Sequence, residues 1–144
     1  MNILINKASN PADMQKCFDI RLKVFVHEQN VPLEEEIDDN DAVSDHYLLH
    51  VANAPAGTAR VRIIDDYAKI ERVAVLEEHQ GKGLGKELLL RILTYLKQKN
   101  AVKKAKLSSQ VYAIPFYEKL GFLVCSEVYM DANIPHKDMV LNVL

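Results

Sequence analysis

Three glycines fall within five residues in His79-Gln80-Gly81-Lys82-Gly83-Leu84-Gly85-Lys86, between an apolar stretch and a run that reads as helix. Bare backbone at a helix start lets the first N–H groups point outward, where the positive end of the helix dipole favours an anion such as a pyrophosphate. Two well-known loops fail at named positions. A phosphate loop of the nucleotide-hydrolase type ends Gly-Lys-Ser/Thr, but Glu87 follows Lys86, and Gln80 stands where its first glycine belongs. A dinucleotide loop, counted from Gly81 and Gly83, needs a third glycine where Lys86 sits. What remains is Gln-x-x-Gly-x-Gly, from Gln80 to Gly85, with Lys82 and Lys86 adding charge. A ligand-free tight turn is the competing reading, since glycine is the default residue of any strained turn.

The flanks of the loop read as mixed α/β. Ile3 and Ile5 alternate with polar neighbours as a first strand, and Asn10-Pro11 opens a helix whose apolar positions Met14, Cys17, Phe18, Leu22 and Phe25 carry it to about His27. Glu34 to Asp45 holds seven acidic residues and reads as a solvated loop. The stretches 46–52 and 58–64 form a hairpin joined by 53–57, and 69–76 is a further strand. A helix over 84–99, a short strand near 106–108, a helix over 113–120 stopping at Gly121, and strands near 122–129 and 139–143 complete the chain.

A chain of 144 residues with 49% apolar composition suits one domain over 1–144 with a real core. A net charge of −2 gives no basic footprint for nucleic acid, no apolar run approaches the ~20 residues that cross a bilayer, and the start lacks a signal-peptide layout. The expectation is a cytoplasmic protein with neither nucleic-acid nor membrane partner. Cys17 and Cys125 make no metal or disulfide spacing and read as buried thiols, and the histidines show no metal spacing, so no metal is expected.

The loop, the preceding Arg72-Val73-Ala74-Val75 and the later Ala113-Ile114-Pro115-Phe116-Tyr117-Glu118-Lys119-Leu120-Gly121-Phe122 together resemble the GNAT superfamily of acetyl-coenzyme A dependent N-acetyltransferases. Arg21 to Pro32, Ile70 to Val75 and Glu127 to Met139 resemble its small bacterial ElaA/YjcF-like group, so the likeness spans nearly the whole chain. It implies a GNAT-type central sheet, mixed and mostly antiparallel, twisted and flanked by helices. It implies acetyl-CoA as co-substrate, held by Val73, Ala74 and Val75 along its pantetheine arm and by Gln80, Gly81, Lys82, Gly83, Leu84, Gly85 and Lys86 at its pyrophosphate. Gln110, where many members have Asn, and Phe116 complete that set. Asn133 stands where Gly is expected in the last loop and keeps the turn, because Asn tolerates a left-handed backbone.

The resemblance places Tyr117 beside the thioester as general acid, against a core tyrosine with a satisfied hydroxyl. The base is open between two residues. By the two-residue strand period Lys69, Glu71, Val73 and Val75 share one face, which points Glu71 into the cleft, where it acts through a water or else only pairs with an arginine. His136, in a loop near the acceptor, can titrate near neutral pH or be an exposed histidine. The implied reaction is acetyl transfer to a small primary amine or amino terminus by direct attack in a ternary complex, with a homodimer possible. A coenzyme A sensor without turnover and an acyl-homoserine-lactone synthase are the rivals.

Overall fold

The computed structural model describes residues 2–143. Eight strands form one sheet, β1 Ile3–Lys7, β2 Asp45–Val51, β3 Ala54–Ile64, β4 Tyr67–Val75, β5 Lys104–Gln110, β6 Leu123–Val124, β7 Tyr129–Asp131 and β8 Ile134–Asn142, in the order β1-β2-β3-β4-β5-β8-β6 with β7 on β8. Every pair is antiparallel except β4 with β5. That parallel pair needs a crossover, which is supplied by α3, Leu84–Lys99. The fold is the mixed, mostly antiparallel sheet flanked by helices expected from the sequence.

Helix α1, Pro11–Arg21, starts where its cap dictates: the Asn10 side chain accepts the Asp13 N–H at 2.8 Å, and Pro11 takes the first turn, where its missing donor costs nothing. It continues as a π-helical segment, Leu22–Glu28, so the helical run ends near His27 as expected, with its last turns wound more loosely than an α-helix. Cys17, Ile20 and Val24 pack with Leu48 and Ala74 on one face of the sheet. The other face buries Leu84, Leu88, Leu89, Ile92 and Leu96 of α3 against Val61, Ile70 and Leu107, and the short helix α4, Ile114–Lys119, lies on that side too. The β2–β3 turn is tighter than expected: Ala52 and Asn53 adopt positive φ, so β3 begins at Ala54 and Pro55 to Gly57 lie inside the strand. The expected strand over 122–129 is divided into β6 and β7 by an irregular stretch that still bonds to β8, the Cys125 N–H donating to the Asp138 carbonyl at 2.8 Å. Cys17 is a buried thiol that burial pushes up in pKa, whereas Cys125 is exposed, contrary to expectation.

The acidic stretch is not a solvated loop. It forms α2, Leu33–Glu36, and a 3-10 turn, Asp39–Val43, folded onto the sheet by arginines. Arg21, 1% exposed, pairs with Glu36 at 2.9 Å and Asp41 at 2.8 Å. Arg60, equally buried, holds Asp38 at 2.7 Å, Asp41 at 2.9 Å and Glu71 at 3.1 Å. Arg72 reaches Glu36 and Asp38, and Arg62 reaches Glu71. Burial raises the pKa of Asp38 and Asp41, but hydrogen bonds and charge from these arginines outweigh it and hold both below the ordinary carboxylate value. A depressed folded-state pKa contributes stability above the unfolded value, lost as pH falls through the folded one. The melting temperature should therefore be level near neutrality and fall below about pH 4, the ordinary carboxylate range. Thermal melts of the wild type beside Asp41→Asn check this: the variant should start lower and lose less on acidification, and parallel curves would refute the assignment.

Candidate active site

The glycine loop is built as its composition requires. Gly81 and Gly83 have φ of +78° and +76°, and a Cβ added to either meets nothing within 4 Å, so the backbone is left-handed and open on its outer side. Gly83 is the N-cap of α3 and offers no side-chain cap, leaving the first N–H groups of the helix for an external acceptor. Lys82 and Lys86 are exposed beside it, and Leu84 is buried as the anchor of the turn. A Cβ on Gly85 would lie 3.5 Å from the Phe116 ring and 3.9 Å from Val75, so the loop closes against α4 and the end of β4. The Gln80 amide turns inward and donates to the Val75 carbonyl at 3.0 Å, bracing the strand-to-loop corner.

A bulge corrects the predicted strand face. The β3–β4 register slips between Thr58 and Arg60, and Arg72 sits at φ +55°, so one extra residue enters β4. Glu71 therefore lies on the α1 face beside Arg60, while Val73 and Val75 pack on the α3 face with Ile70. Ala74 is buried on the α1 face. The four residues Lys69, Glu71, Val73 and Val75 do not share a side, because a two-residue period survives only while the ladder is unbroken.

The parallel ladder ends at Ile70↔Leu107. Beyond it β4 and β5 part around a cleft of about 360 Å³, lined by Glu71, Arg72 and Val73 on one side and by Ser108, Ser109 and Gln110 on the other. Val73 to Val75 thus have β3 on one edge and no strand on the edge toward β5. The cleft also takes in Tyr117, His136, Tyr129 and Lys69, with Glu35 and Glu36 from α2. The Gln110 amide donates to Gln29 at 2.8 Å, across the cleft from the π-helical segment.

Tyr117 is half-buried on α4, wedged edge-on between Phe116 at 5.0 Å and Phe122 at 6.1 Å. Its hydroxyl makes no hydrogen bond among the described residues, and burial, with Tyr112 nearby, pushes its pKa up to about 12. Glu71 accepts from Arg62 at 3.1 Å and pairs with Arg60. Burial alone would raise its pKa, but the Arg62 hydrogen bond and both positive charges hold it below the ordinary value.

His136 is not in a loop but on β8, opposite Gln110 of β5, and is 8% exposed. Its Nδ1 lies 2.6 Å from the Ile134 carbonyl. A carbonyl can only accept, so Nδ1 carries a proton, and in the neutral ring Nε2 is the nitrogen with the free lone pair. Asn133 and Ala132 turn β7 into β8 with positive φ, as Asn was expected to allow. Sequence reasoning missed Tyr129, Ser108 and Asp138, which meet beside His136 through strand pairing that no linear motif shows. Among the described residues no group of His, Cys, Asp or Glu is arranged to hold a metal, and no helix is long and apolar enough to cross a membrane.

Comparison with known proteins agrees with this fold. A family model described as an acetyltransferase (GNAT) domain matches residues 9–143. The chain is 38% identical to YjcF of Bacillus subtilis, named as an uncharacterised N-acetyltransferase, over 92% of this chain and 95% of that protein. The crystal structure of Escherichia coli ElaA superposes with a TM-score of 0.86 at 27% identity, over 96% of this chain and 99% of that one. A crystal structure from Lactobacillus plantarum, titled a putative N-acetyltransferase, shares the fold with a TM-score of 0.91 at 23% identity, over 99% of both chains.

Proposed function

Because the chain belongs to the GNAT acetyltransferase family, within its ElaA/YjcF-like group, we propose that it transfers an acetyl group from acetyl-CoA to a small primary amine by direct attack in a ternary complex. The carrying observation is the continuity of three parts: an uncapped, glycine-built helix start, a β4 edge with no strand toward β5, and a cleft where that ladder opens. The pyrophosphate would lie on the backbone of Gln80 to Lys86, and the pantetheine arm along Val73, Ala74 and Val75, with Phe116 and Gln110 beside it. The open space outside Gly81 and Gly83 fits such a group. When bound, the coenzyme supplies an acyl group activated as a thioester.

The chain's own groups then divide the proton work. The Val73 N–H is the oxyanion donor in this reading, a fixed dipole where negative charge develops. Tyr117 holds a proton at its hydroxyl for the departing thiolate. His136 takes the proton of the attacking amine at Nε2, since imidazole accepts a proton near neutral pH. Glu71 is the weaker candidate for base, because two arginines stabilise its ionised form and lower its basicity.

Replacing each tests the division. His136→Gln should lower turnover at neutral pH by roughly 10²-fold, the lower range for a general base. Glu71→Gln should lower the melting temperature and leave turnover per folded molecule within a few-fold. The reverse pattern, read from pH–rate profiles and thermal melts, would make Glu71 the base. Thiol release over a panel of polyamines, amino sugars, aminoglycosides and peptides identifies the acceptor; no release with any amine would leave a coenzyme A binding protein.

The cradle has its own test. Gly83→Val puts a β-branched residue at positive φ and fills the open side, so acetyl-CoA affinity should drop by more than about tenfold. Calorimetry measures it, with Gly83→Asn as a control that tolerates the left-handed backbone. A folded Gly83→Val protein with undiminished affinity would refute the phosphate cradle.

A further inference from the structure

We propose that Tyr129 is the positioning residue of His136, an inference that rests on reading His136 as the proton acceptor. The two are cross-strand partners in the β7–β8 register. Their rings stack, with centroids 6.1 Å apart and planes inclined by 22°. The tyrosine hydroxyl at the rim of the cleft is tied down on both sides. It donates to Asp138 of β8, and it shares a hydrogen bond with the Ser108 hydroxyl of β5. Ser108 and Asp138 are themselves register partners, and the Asp138 N–H donates to Ser126 at 2.8 Å. One phenol therefore joins three strands around a single imidazole.

The arrangement solves a mechanical problem. The bond from Nδ1 to the Ile134 carbonyl fixes the tautomer only while the ring stays in plane, and rotation about the terminal side-chain torsion is soft for imidazole. A flat ring stacked on one face and held at its far end blocks that rotation and keeps water off that face. Burial and the Asp138 carboxylate push the Tyr129 pKa up to about 12, with Ser108 opposing, so the hydroxyl remains a donor over the working pH range. Tyr129 is 36% exposed, and a tyrosine at that exposure needs none of these ties.

The test follows the imidazole directly. Nitrogen-15 NMR of His136 in the free protein should show a single Nδ1–H tautomer in the wild type. In Tyr129→Leu, which keeps apolar volume and lacks both stack and hydroxyl, it should show a mixture. Turnover of that variant should fall by on the order of tenfold or more, as expected for a misplaced catalytic group, with little change in the KM for acetyl-CoA. Tyr129→Phe keeps the stack and loses the ties, so it should lie between the two. A wild-type tautomer in folded Tyr129→Leu would overturn the inference, and reduced turnover with that tautomer intact would mean that Tyr129 acts on substrate directly. If His136→Gln turns over normally while Tyr129→Leu still mixes the tautomers, the positioning stands and the reading of His136 as base falls.

Discussion

Tyr117→Phe should lower turnover by roughly 10²–10⁴-fold, the range of a positioned general acid, while acetyl-CoA affinity stays within about twofold. The substitution is clean because the ring is gripped by Phe116 and Phe122 and the hydroxyl bonds to no described residue. Removing the oxygen leaves packing intact and no partner unsatisfied, so the melting temperature should hardly move. With its pKa pushed up to about 12 by burial, the phenol is protonated wherever the enzyme works. The alkaline limb of the pH–rate profile should then belong to another group and persist in the variant. Single-turnover measurement of thiol release, with calorimetry for coenzyme binding, checks both statements. Wild-type turnover in Tyr117→Phe would transfer the acid role to water or another residue.

Arg60→Met should be the most damaging change to stability. Arg60 is 1% exposed and serves Asp38, Asp41 and Glu71 together, so its removal leaves three neighbouring carboxylates with one arginine each, Arg72, Arg21 and Arg62. Breaking a buried pair from one side costs about 3–5 kcal/mol, which at this chain length lowers the melting temperature by on the order of 10 °C. Glu71→Gln should cost far less, since Arg60 keeps two other carboxylates. Adding Asp41→Asn to Arg60→Met should recover part of the loss by removing one of the crowded negative charges while Arg21 keeps Glu36, and a double variant less stable than Arg60→Met alone would contradict this account. Denaturant melts of the three variants supply the comparison.

Sequence and structure part company where contacts are long-range. Local chemistry was legible: Asn10-Pro11 starts α1, the glycines turn into α3, and Gly121 ends the tyrosine helix. The bulge at Arg72 was not, because arginine carries no signal for a left-handed backbone; its guanidinium holds that conformation by reaching Glu36 and Asp38. The acidic stretch misled for the same reason, since its counter-ions Arg21, Arg60 and Arg72 lie in other elements. Of the candidate site, the glycine turn into α3 and the place of Tyr117 on its short helix were readable from short motifs. His136 was found as a residue but placed in a loop, and its neighbour Tyr129 becomes visible only when β7 folds onto β8.

The seam between β4 and β5 is four residue pairs long, Tyr67↔Lys104 to Ile70↔Leu107. On one bank the arginine and carboxylate lattice binds α1, α2, β3 and β4 into a block; on the other, Tyr129, Asp138 and Ser108 bind β5, β7 and β8. Among the described residues lining the cleft, the Gln29–Gln110 bond is the side-chain hydrogen bond that bridges the banks. The molecule is in this sense a pair of braced jaws joined along a short seam. Below the cleft one apolar core, from Ile70 and the α3 leucines to Leu107 and Met139, is shared by both banks, so the width of the opening is set by where four backbone pairs stop and not by the side chains that line it.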